Sequence, residues 1–254
     1  MRVLVTFAVE AEFAPWRRLA TVRSSPAGGC ELLQTRIGSA SVDFVVTGMG
    51  MNNARKGAEA AMSVPHTICI AAGFAGSLKR SYKVGDILVA RAVRRIGKPK
   101  TIESARSLFM AACENRALEA EMFLTSDGVV GTAEEKARLQ PFADAVDMES
   151  FATLSVASER KLPAVAIRVI SDRFDEHIPA NIDTTIGENG RIKIAGVVKH
   201  IARHPFEIPA LLRLGRQSRI SAEALAHFLE AFIKDLSFRG HGWPPRELQE
   251  VLAR

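Results

Sequence analysis

Ala164-Val165-Ala166-Ile167-Arg168-Val169-Ile170-Ser171-Asp172 is apolar nearly throughout and ends on a serine and an acid. Such a run reads as a strand buried on both faces, the kind found inside a sheet covered by helices. Thr67–Ala71 has the same character, and Val3–Phe7, Val42–Val46 and Asp86–Ala90 read as further strands. Asn52–Met62 and Glu149–Ser158 read as helices between them, so the expected class is α/β. Gly48, Gly50, Gly73 and Gly76 are taken as strand exits, where the chain turns sharply. Ligands of open α/β sheets gather beyond the carboxyl ends of strands, and the polar residues of interest fall there.

The chain has 254 residues, enough for one large domain with a sizeable core. No stretch approaches the roughly 20 apolar residues of a membrane span. The N-terminus resembles a signal peptide for a few residues only, because Glu10 and Glu12 interrupt it. Cys30, Cys69 and Cys113 are odd in number and scattered, which argues against a disulfide framework and makes the reducing cytosol the expected compartment. Cys69, inside an apolar run, reads as a buried inert thiol. The net charge of +6 is concentrated in two clusters. One contains Arg91, Arg94, Arg95, Lys98, Lys100 and Arg106; the other contains Lys199, Arg203, Arg213, Arg216 and Arg219. Such patches suit phosphate-bearing partners or an anionic membrane surface, or are simply a solvated face.

Residues 1–175 read as the core and 176–254 as a loop and helical extension of the same domain. Asp175–Gly190 is polar and loop-like, whereas Ser221–Leu236 repeats apolar residues at helical spacing. Three acids stand at strand ends or helix starts: Glu12, Glu149 and Asp172. Burial after its strand favours the protonated form of Asp172, as a general acid requires. Glu149 begins a helix, whose amides favour an anion. Each also has a plain reading as a cap, a first-turn charge or a surface residue. Thr47-Gly48-Met49-Gly50 could present amides to an anion but lacks a third glycine. His200 and His204 lie four apart without a further ligand, and no metal or cofactor is expected.

The order of six segments carries a resemblance: Ala8-Val9-Glu10-Ala11-Glu12, Thr47-Gly48-Met49-Gly50, Ala72-Gly73-Phe74-Ala75-Gly76-Ser77-Leu78, Lys83-Val84-Gly85-Asp86-Ile87, Val146-Asp147-Met148-Glu149, and Arg168-Val169-Ile170-Ser171-Asp172. Together they resemble methylthioadenosine/S-adenosylhomocysteine nucleosidases and their phosphorylase relatives. The resemblance implies a three-layer α/β/α fold around a mixed twisted sheet, with a helical C-terminal extension. It implies that Asp172 protonates the purine N7, that Glu12 activates water, and that Glu149 binds the ribose hydroxyls with Met148 against the sugar. It also places Met49, Gly73, Phe74, Val129 and Ser171 at the substrate, a purine nucleoside, and implies a homodimer or higher oligomer. Asp172→Asn should then stop base release and leave the fold intact.

Departures from the pattern matter. Ala71 stands where the phosphorylases have an arginine, which favours water over phosphate as nucleophile. Phe74 replaces a serine, and Val129 or Val130 replaces a base-stacking phenylalanine. The stretch Arg203–Leu214 resembles the extension of hopanoid-associated phosphorylases, which implies adenosylhopane as substrate and contact with the inner membrane face. A phosphate-dependent phosphorylase is the rival enzyme. A non-catalytic basic module for lipid or nucleic acid is the rival of another class. Against the latter, Tyr82, Trp16 and Trp243 make no stacking platform, and no specific nucleic acid is expected.

Overall fold

A computed structural model describes residues 1–19, 22–178 and 208–239. The elements in chain order are β1 (Arg2–Phe7), α1 (Glu10–Phe13), α2 (Trp16–Leu19), β2 (Arg23–Ala27), β3 (Cys30–Ile37), β4 (Ala40–Val46), α3 (Met51–Ala61), β5 (Ile68–Ser77), β6 (Ile87–Arg95) and β7 (Thr101–Glu103). They continue with α4 (Arg106–Glu114), β8 (Leu118–Thr125), α5 (Ala133–Leu139), β9 (Ala145–Asp147), α6 (Ser150–Glu159), β10 (Ala164–Asp172) and α7 (Ile208–Phe238).

The strands form one mixed sheet in which β5 is the branch point. On one side β5 pairs in parallel with β1, and β4, β3 and β2 follow outward. On the other side β5, β10, β6, β8 and β9 pair in a ring that returns to β5. Closing the ring satisfies strand edges that an open sheet would leave exposed.

Alternation along β1 shows how the layers arise. Val3, Val5 and Phe7 pack on the face covered by α4 and α7, while Leu4 packs on the face covered by α3 and α6. All nine residues of β10 are buried, as its composition predicts. Phe13 of α1 lies between Phe7 and Phe44, with ring centroids 6.1 and 5.4 Å away, and so pins the short helix that carries Glu12.

The expected α/β class and layered sheet are present, with two differences of detail. Gly73 and Gly76 are not strand exits: β5 runs through them to Ser77, and β6 likewise extends to Arg95. Glycine is used there for close approach, since a Cβ at either position would meet the side chains of Arg168 and Glu12 or of Asp172. The last helix begins at Ile208 rather than Ser221, because Pro209 sits in its first turn, where a missing N–H costs nothing. Leu225, Leu229, Phe232, Ile233 and Leu236 are fully buried. Cys69 is also buried, and its thiol is pushed up to about 12 by burial, which fits an inert residue. Residues 179–190 of the expected loop, and Lys199, His200, Arg203, His204, Phe206 and Trp243, lie outside the described residues.

Phe232→Ala should therefore destabilise the protein by about 3–5 kcal/mol in urea unfolding, since α7 is part of the core. A change of under about 1 kcal/mol would mean that this helix does not pack as described.

Candidate active site

One cavity of about 230 Å³ lies beyond the carboxyl ends of β1, β5 and β10. Of the nine site residues expected from sequence, eight line it: Glu12, Met49, Phe74, Val129, Met148, Glu149, Ser171 and Asp172. Gly73 stands behind the wall. A Cβ there would strike the side chains of Arg168 and Glu12, so glycine is what lets both approach the strand. Val130, Ser126 and Asp147 also line the cavity, as do Ile178 and, from α7, Leu214 and Ser218. The C-terminal extension is thus part of the site.

Glu12 is fully buried, and its carboxylate accepts three backbone N–H groups: Ala8 at 2.7 Å, Val9 at 3.0 Å and Phe74 at 2.7 Å. Burial pushes its proton affinity up, and Arg168 and these amides pull it back only in part. A buried carboxylate so held is a competent base. Glu149 accepts the Gly50 N–H at 2.8 Å and lies 3.6 Å from the guanidinium of Arg168. The glycine-rich Thr47–Gly50 turn does present an amide to an anion, but the anion is the protein's own.

The α6 amides do not stabilise Glu149, which caps nothing with its side chain. Asp147 takes that part: its Oδ1 accepts the N–H groups of Glu149 and Ser150, both at 3.2 Å, and the Thr125 hydroxyl at 2.8 Å. Burial, with Asp147 and Glu12 adding repulsion, therefore pushes Glu149 up to about 7 against the opposing pull of Arg168.

Arg168 is the buried cation among these acids. Its Nε donates to Ser150 Oγ at 3.0 Å and forms an ion pair at 2.9 Å with Asp147 Oδ2, too oblique for a good hydrogen bond. Strand register places Arg168 opposite Gly73, and a bulge at Ser171 then places Asp172 opposite Gly76. Gly76 serves Asp172 as Gly73 serves Arg168, since a Cβ there would lie 2.9 Å from Asp172 Oδ2.

Asp172 is not the isolated carboxyl that its strand suggests. Lys136 of α5, itself fully buried, places Nζ 2.6 Å from Asp172 Oδ2. Ser171 Oγ donates to Oδ1 at 2.9 Å. Sequence reasoning missed Lys136 because Lys136-Ala137-Arg138 looks like a solvated helix face. Thr132 and Glu135, a reciprocal capping box, mark the start of this short helix but not which of its side chains is buried. Arg168 and Asp147 stood within the quoted segments without a role.

A family model described as the phosphorylase superfamily matches residues 2–203, and the chain belongs to that superfamily of enzymes. Among solved structures, the chain is similar to a 5'-methylthioadenosine/S-adenosylhomocysteine nucleosidase from Neisseria meningitidis, at 18% identity and TM-score 0.70 over 92% of this chain and 99% of that one. It is similar to a nucleosidase of the same name from Colwellia psychrerythraea in complex with adenine, at 21% identity and TM-score 0.69, covering 91% and 94%. A futalosine hydrolase from Helicobacter pylori matches at 20% identity and TM-score 0.66, covering 91% and 98%. At these identities the likeness is one of fold.

Two outcomes follow from the buried charges. Glu149 has a folded value near 7, above its ordinary 4.5, so its share of stability is full below about 4.5 and is lost as pH rises through about 7. Glu149→Gln should flatten the fall in melting temperature between about pH 5 and 8, and an unchanged slope would contradict the assignment. Asp172→Asn leaves the Lys136 ammonium buried without its counter-ion and should cost about 3–5 kcal/mol in urea unfolding, with replacement of both residues recovering most of it. The intact fold expected for this variant from sequence is thereby revised.

Proposed function

We propose that the enzyme is an N-ribosyl hydrolase that releases a purine, adenine by preference, from a 5'-substituted adenosine. The observation that carries this is the charge of the cavity wall. Among the described residues, Glu12, Asp147, Glu149 and Asp172 line it and no lysine, arginine or histidine does. A phosphate dianion would meet carboxylates without a cation, and Ala71, buried within β5, supplies none. Water meets no such barrier.

The same wall suits a sugar that becomes cationic as the glycosidic bond breaks. Glu149 accepts the ribose hydroxyls, with Met148 beside the sugar. Glu12 takes a proton from the attacking water. Asp172 delivers a proton to N7 of the leaving base, with Phe74 and Val129 lining the base pocket. Hydrogen-bonding roles of this kind favour one nucleoside orientation, and the apolar remainder of the wall holds the ring faces.

For the 5' substituent we favour an apolar group, adenosylhopane being the specific candidate. Support comes from Ile178 and Leu214 at the cavity and from α7, where exposed Leu212 and Ile220 alternate with exposed Arg213, Arg216 and Arg219. Such a surface suits contact with a membrane that holds the substrate. No helix among the described residues is long and apolar enough to cross one.

The test is adenine release from adenosines with small and lipid 5' groups, with and without phosphate. Release should proceed at full rate in phosphate-free buffer, yield free ribosyl product and favour the lipid group. Ribose 1-phosphate as the main product would overturn the hydrolase. Preference for a small 5' group would overturn the lipid substrate alone.

A further inference from the structure

We propose, resting on the hydrolase reading above, that Lys136 is a positioning residue for the reaction and the proton source on which Asp172 draws. Lysine is almost never fully buried unless paired, and a buried ion pair stabilises a fold no better than well-packed apolar side chains. Packing alone therefore gives α5 no reason to place an ammonium under the cavity wall.

Its hydrogen bonds supply the reason. The three Nζ protons meet three oxygens: Asp172 Oδ2 at 2.6 Å, the Arg173 carbonyl at 2.5 Å and the Glu176 carbonyl at 3.4 Å. After loss of one proton, the amine keeps two N–H groups for the two carbonyls and turns its lone pair to an Oδ2–H on Asp172. Every group then remains satisfied in both protonation states. The other oxygen of Asp172 accepts from the Ser171 hydroxyl, which is far too weak an acid to serve the base. Among the donors that hold the carboxylate, Nζ is the one able to give a proton up.

The step balances. An Nζ–H bond breaks as an O–H bond forms on Asp172, and the carboxyl passes one proton to the purine nitrogen. The C1'–N bond breaks with its electron pair staying on the base. The water oxygen bonds to C1' and its proton goes to Glu12. Once products leave, Glu12 returns a proton to solvent and Lys136 regains one through Asp172. The same ammonium ties down the backbone after β10, so the acid and its proton source are held by one contact.

A double-mutant cycle tests this on a 5'-substituted adenosine. Lys136→Met should lower kcat by about 10²-fold or more with KM changed less than about threefold, and Lys136→Arg, whose guanidinium keeps the charge but cannot give up a proton, should recover little of the loss. In the Asp172→Asn background the further change to Met should cost less than about twofold, because the proton path is already cut. That double variant carries no unpaired buried charge and remains measurable if either single variant folds poorly. A nucleoside already methylated at N7 needs no proton and should lose less than about tenfold in Lys136→Met. Wild-type kcat in Lys136→Met, or equal losses in both backgrounds, would overturn the proposal. A wild-type enzyme that releases no base from any nucleoside would instead overturn the hydrolase reading.

Discussion

Arg168 is buried in the middle of β10 with Asp147, Glu149 and Glu12 around it, and the rest of the site depends on that placement. An arginine cannot shed its charge by losing a proton, so its burial demands acids nearby. One cation among three buried carboxylates leaves the set short of positive charge. The shortfall appears as the raised values of Glu12 and Glu149, both driven first by burial. A lysine would not substitute: the planar fork donates to Ser150 and the Phe74 carbonyl while its delocalised charge lies beside the carboxylates of Asp147 and Glu149.

Close approach, more than any single hydrogen bond, lets β10 carry this chemistry. Arg168 and Asp172 each face a glycine on β5, and the bulge at Ser171 sets the second of these pairings. Bulges re-aim side chains at functional sites, and here the extra residue turns the strand's last carboxyl to the cavity. A methyl group at Gly73 would meet the guanidinium and Glu12 together, so the two strands could not stay in register without moving the acid.

The layered α/β plan was legible in the sequence because β5 and β10 are continuous apolar runs, which few other arrangements accommodate. The acids Glu12, Glu149 and Asp172 were legible as residues placed at strand ends, though not as partners. What stayed hidden was contact between distant segments. Lys136 and Asp172 are joined only by the fold, and nothing in the local pattern of α5 separates a buried lysine from a solvated one. Asp147 was hidden differently: its neighbour Glu149 sits where a capping residue belongs, while the α6 amides are met from two residues earlier. The glycines were read by their commonest use, turning, when their use in β5 is to make room. Leu214 and Ser218 escaped because a tail of amphipathic spacing gives no sign of which turn reaches the cavity.

Charge is arranged in depth. Among the described residues, the buried cations of the site, Arg168 and Lys136, stand behind carboxylates, so the charged groups that face the cavity are acids. Each cation makes burial of its acid tolerable without presenting positive charge to a ligand. Within a low-dielectric wall the nearest charges dominate, because the interaction falls with distance and is weakly screened there. An entering anion therefore meets repulsion first, whereas a sugar that gains positive charge as its base departs is stabilised by groups already in place. If the cations faced the cavity and the acids lay behind them, the same residues would favour a phosphate. The order of the layers, more than the composition of the site, is what makes water the fitting nucleophile for the proposed reaction.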